Sequence, residues 1–171
     1  MRKLLFLGLT VIYALISTFC EFTPDVLAHV TNEEKYIEID VEVVSSKYND
    51  DGYSYIYVKL TDFSYYKSLT GSHADSYTQD TLDNTVVKLK MLPENAEILR
   101  ENGFFDIIKL GDLIKVRTTA WIHNGVNHNY VAQLTLGEIE YLDFETGFNN
   151  MVASSKRLKE LDLGDVLKST E

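Results

Sequence analysis

Two runs of strict period-two alternation, separated by an acidic turn, constrain this chain more than any other feature. Residues 36–43 place Ile37, Ile39, Val41 and Val43 on one face and Tyr36, Glu38, Asp40 and Glu42 on the other. Residues 53–60 repeat the pattern, with Ser54, Ile56, Val58 and Leu60 opposed to Tyr53, Tyr55, Tyr57 and Lys59. Successive side chains of a strand point to opposite sides of a sheet, so each run offers one face to a core and one to water. Asn49-Asp50-Asp51-Gly52 between them is rich in residues that accept turn geometry, which predicts a hairpin.

The same reading extends along the chain. Residues 85–91 form a third strand that buries Val87, Leu89 and Met91 and turns Val86, Lys88 and Lys90 outward. Pro93 stands at a helix start and Gly103 at its end, so residues 94–102 read as a short connecting helix. Gly111-Asp112 turns into a fourth strand over 113–122, and Asn124-Gly125 marks the return as a fifth over 130–144, where Gly137 marks a bulge or bend. Three strands, a helix and two strands is the order of an OB-fold, a five-stranded Greek-key barrel. The expected fold is therefore mainly β, with the barrel over 33–146, and Phe148, Met151, Val152, Leu158 and Leu161 mark a C-terminal helix and tail over 147–171. Residues 64–83 have no period and abound in small polar residues, which predicts a long, mobile loop dispensable for folding.

Residues 1–28 stand apart. Arg2 and Lys3 precede an uncharged apolar run, and no acid appears before Glu21, which is the charge order of a signal peptide. At 16 residues the run over 4–19 is short of the roughly 20 that span a bilayer, so a removed leader is expected, ending at Cys20 or Ala28. The membrane enters only if the leader stays uncleaved. Phe19 is bulky in front of Cys20, where lipoprotein signals have a small residue. Removal of residues 1–20 also removes the one cysteine, and with it any disulfide or thiol chemistry of the mature chain. It shifts the net charge from −10 to −12, because Arg2 and Lys3 leave and no acid does. That balance opposes nonspecific attraction to phosphate.

No catalytic constellation emerges. His29, His73, His123 and His128 lack a surrounding motif, and His123 with His128 across a hairpin is two ligands without a third. Asn49-Asp50-Asp51 lacks the alternate spacing of a calcium loop. We expect no enzyme activity, no cofactor and no metal. The outward residues are more informative. Tyr53, Tyr55, Tyr57 and Lys59, then Lys88 and Lys90, then Lys115, Arg117, Trp121 and His123 would form an aromatic and basic face. Single-stranded nucleic acid uses such a face, because bases stack on rings while cations follow the phosphates. Tyrosines and lysines at outward strand positions also arise from strand propensity alone.

Residues 55–132 resemble the single-stranded telomeric DNA-binding OB domain of the telomere end-binding and protection-of-telomeres family. The resemblance rests on Val58-Lys59-Leu60-Thr61-Asp62-Phe63-Ser64, on Val87-Lys88-Leu89, and on Ile108-Lys109-Leu110-Gly111-Asp112-Leu113-Ile114-Lys115-Val116-Arg117 followed by Asn124-Gly125. Asp62, Gly111, Asp112 and Ile114 stand at the matching positions. It implies a single-strand-binding barrel in a nuclear or chromosomal setting. A leader and an acidic chain imply instead an extracytoplasmic OB domain in the secretory pathway, with a protein or glycan partner. Both readings are of a binding module.

Overall fold

The computed structural model describes residues 24–72, 77–123 and 126–168. The leader expected over residues 1–20, His73 and the Asn124-Gly125 turn lie outside them. The described residues open with helix α1 (Pro24–Val30) and a 3-10 turn (Glu33–Lys35), then strands β1 (Tyr36–Lys47) and β2 (Ser54–Leu60). A second 3-10 turn (Phe63–Tyr65), α2 (Tyr66–Thr70) and α3 (Gln79–Asn84) lead to β3 (Val86–Met91). Helices α4 (Pro93–Glu101) and α5 (Phe104–Ile107) connect it to β4 (Leu113–Thr119). Two-residue strands β5 (Ile122–His123) and β6 (Val126–Asn127) pair with each other, and β7 (Val131–Leu136), β8 (Ile139–Leu142) and α6 (Phe144–Lys168) complete the chain.

Six strands form one antiparallel sheet in the order β3-β2-β1-β4-β7-β8. Strand β1 is long enough to serve two partners. Its first half pairs with β4, from Tyr36 opposite Thr119 to Glu42 opposite Leu113, and its second half with β2, from Val41 opposite Leu60 to Lys47 opposite Tyr55. The register slips between Val43 and Ser45, and such a bulge bends and twists a strand. At the bulge Val43 donates its N–H to the Asp112 carbonyl and accepts from the Gly111 N–H, both at 2.8 Å. Gly111 has φ +89, which only glycine adopts without strain, so the Gly-Asp pair is there for turn geometry. The bent sheet curls until its β3 edge reaches the start of β7. There Lys90 and Tyr130 form a parallel bridge, and the Lys90 N–H donates to the Asn129 carbonyl at 2.7 Å.

Inside the curl lie the alternating apolar residues, among them Ile39, Val41, Ile56, Val58, Leu89 and Val116. Burial follows the predicted alternation through β2 without exception. Each such side chain contributes about 1.5 to 3 kcal/mol by leaving water, so the alternation specifies which way the sheet folds.

Several expectations are corrected. The sheet has six strands, not five. The fourth strand ends at Thr119 rather than 122, and residues 122–123 pair with residues 126–127 in a separate ladder. The run 130–144 is two strands, because Gly137, at φ +61, reverses the chain so that Leu136 faces Ile139. The terminal helix begins at Phe144, three residues before Gly147. Residues 64–83 are not a loop throughout their described part but carry the helices α2 and α3. Tyr66, Leu69 and Leu82 are buried in the main core, and α3 carries a Thr78–Thr81 capping box. Helices of five and six residues present one or two core positions each, too few for a period to appear in the sequence.

Candidate ligand-binding face

Adjacent strands align the outward residues in rows. Lys88, Tyr57 and Ser45 form one row across β3, β2 and β1, and Lys90, Tyr55 and Lys47 form the next. A third row sets Val86, Lys59, Glu42 and Leu113 side by side. The Lys88 ammonium sits 3.7 Å above the Tyr55 ring, a cation–π contact across the diagonal. Tyr55, Tyr57, Lys59 and Lys88 are half-buried, and among the described residues Lys59 and Lys88 enter no ion pair. These four form one patch. Lys47 joins it, although the alternation stops at Val43: the bulge at Val44 hides the continuation of the strand from a period-two reading.

The other candidates are elsewhere. Lys90 lies on the same face but is only 5% exposed, because the segment leading into β7 crosses it; its ammonium is 5.6 Å from the Tyr130 ring centre. Trp121 and Tyr53 pack against a second apolar cluster built from Val26, Leu27, Val30, Leu92, Tyr130 and Met151. The Trp121 ring is stacked on His29, with centroids 4.4 Å apart, and Tyr53 is tilted against Tyr130 at 5.9 Å. His123 contributes its backbone to β5, and its side chain lies outside the description. Lys115 pairs with Glu38 at 3.4 Å. Arg117 pairs with Glu33 at 3.5 Å while its guanidinium lies 3.5 Å over the Phe144 ring. The structure therefore brings together four of the ten candidates and parts five others, Tyr53, Lys90 and Trp121 into packed positions and Lys115 and Arg117 into ion pairs.

Beside the patch, where β1 and the end of β2 diverge, a cleft of about 410 Å³ is lined by Glu38, Ile39, Asp40, Leu60, Thr61, Asp62 and Tyr65. Its carboxylates are partly engaged. Asp62 accepts from the Ser64 N–H and hydroxyl, each at 2.7 Å, and these bonds hold its carboxyl below the usual carboxylate range. The Thr61 hydroxyl donates to the Asp40 carbonyl at 2.8 Å. One sheet surface thus carries a basic, aromatic half and an acidic half.

Among the described residues no three His, Cys, Asp or Glu side chains are placed to hold a metal. None of the described helices is long and apolar enough to cross a membrane. In comparison with known proteins, no family model, no curated protein and no solved structure matches the chain significantly.

Proposed function

We propose that this chain is a non-catalytic binding module of the OB type, and that Tyr55, Tyr57, Lys59 and Lys88 hold a protein partner. The strand order β3-β2-β1-β4-β7, the parallel bridge from β3 to the start of β7 and the helices between β3 and β4 support the OB reading. The observation that carries the ligand class is the division of the surface. A nucleic-acid strand needs a continuous line of cations, whereas here Lys115 and Arg117 are matched to carboxylates and the neighbouring cleft is acidic. A mixed-charge surface with central tyrosines suits a protein, because aromatic anchors supply the contact energy and complementary charges set orientation. The charge order of residues 1–20 supports an extracytoplasmic setting for this encounter.

A second reading draws on one observation, the Lys88–Tyr55 stack beside Tyr57, which is the local arrangement of a base-stacking platform. Fluorescence titration with mixed-sequence and G-rich single strands at several salt concentrations separates the two. We expect no salt-dependent binding to either strand. A photo-crosslinking residue at Tyr57 should trap a protein in the native setting, and Lys88→Glu should abolish that product while the same probe at Glu140 gives none. Tight single-strand binding at low salt, weakened by Tyr57→Ala, would overturn the protein reading in favour of the second.

A further inference from the structure

We propose that helix α1 is an acid-released latch: a neutral His29 stacked on Trp121 clamps it to the barrel, and protonation of His29 frees it and uncovers the surface beneath. A helix of seven residues has no stability of its own, so α1 is ordered by what it touches. Val26, Leu27 and Val30 are buried in the second cluster, apart from the main core, and the Tyr36 hydroxyl donates to the Val30 carbonyl at 2.8 Å. His29 completes the contact with its ring 16° from the Trp121 plane. Its Nε2 is buried and has no hydrogen-bond acceptor or donor among the described residues.

Protonation would put a charge and a buried N–H where no described residue accepts the hydrogen bond. The groups acting on the ring are of the wrong kind. Lys35, from the 3-10 turn, and His128, from the segment before β7, both oppose a positive charge, and burial opposes it more than either. Among the other groups around the latch, Asp25, one turn earlier on α1, is exposed, and Glu33 is engaged with Arg117. Glu34 is exposed, as are Glu145, Lys156 and Arg157 on α6, and Lys90 is buried by Tyr130. Among the described residues, no carboxylate contributes to the environment of His29. Loss of hydration is the largest of these effects, and the imidazole is pushed down from 6.5 to about 4.

The sign follows from linkage. Between about pH 6.5 and 4 the released helix binds a proton that the clamped helix does not. The clamp is therefore at full strength above pH 6.5 and weakens as pH falls towards 4. Trp121 is the only tryptophan, so its emission reads this contact directly. On titrating the full chain from pH 8 to 4, we expect the emission to change between pH 6.5 and 4. Amide exchange in residues 24–30, corrected for chemical rate, should rise about tenfold or more by pH 4.5 while β1 and β4 stay protected. His29→Phe keeps the stack and removes the titration, so both changes should vanish; His29→Gln serves as a second variant if the first does not fold. His128→Gln should retain the transition. A transition that persists in the His29 variants, unchanged protection of 24–30, or loss of protection in β1 and β4 at the same pH would each overturn the latch.

Discussion

The outer surface of the sheet has two halves with the same sequence pattern and different fates. On β2 and β3, Tyr55, Tyr57, Lys59 and Lys88 stand at outward positions and remain at the surface. At the start of β1, Tyr36 stands at an equally outward position and is 6% exposed, although Glu38 and Asp40 further along the strand are exposed. Helix α6 makes the difference. Phe144 and Phe148 meet the Tyr36 ring edge-on at 5.5 and 5.7 Å, and Phe144 also receives Arg117. The helix sits close because Gly147 presses on the backbone of Ala132 in β7, where any side chain would overlap the carbonyl. Asn95 locks the arrangement from α4, donating to the carbonyls of Val131 and Gly147 and accepting from Asn150. Alternation tells the two faces of a strand apart, but a later element decides whether the second face meets water.

The comparison can be broken from below the open half first. Leu69 is fully buried in the main core, so Leu69→Ala should cost about 3 to 4 kcal/mol in urea unfolding, where a dispensable loop would tolerate it. From the closed half, Gly147→Ala forces α6 away from Ala132 and should cost about 2 to 3 kcal/mol, with Tyr36 becoming reactive to a tyrosine probe. The same variant should leave the Tyr55–Lys88 patch and its ligand binding intact, which sharpens the contrast.

A smaller effect is expected at the start of α6, where the Asp143 carboxylate accepts from the Thr146 N–H at 2.9 Å and caps the helix. Asp143→Ala should cost about 1 kcal/mol in the same unfolding assay. This bond also holds the Asp143 carboxyl below its ordinary value, so its contribution is complete above the usual carboxylate range and is lost as pH falls through the lowered value. The smallest change is Lys115→Gln. Its ion pair with Glu38 is about half exposed on both sides, and its removal should move stability by no more than about 0.5 kcal/mol. A larger loss would mean that the closed half depends on its charges as well as on α6.

How far the patch was legible is visible in individual residues. Tyr55, Tyr57, Lys59 and Lys88 follow from local alternation in two strands that pair with each other. Lys90 continues the same alternation, yet it is buried by a segment from 39 residues further on, a contact that no local pattern encodes. Trp121 lies just past the end of β4, so the alternation that assigned it outward no longer applied.

By itself the sequence determined the period-two strands, their inward apolar faces, the Gly-Asp turn and the connecting helix at Pro93, because these depend on neighbours within a few residues. Only the tertiary structure decided that β1 is shared between two partners and that short helices after Phe63 close the core. It also decided that α6 covers Tyr36 and packs on β7, and that α1 covers the Trp121 cluster. These depend on which apolar surfaces meet across long stretches of chain, where burial is gained by contact between elements and leaves no period within either one.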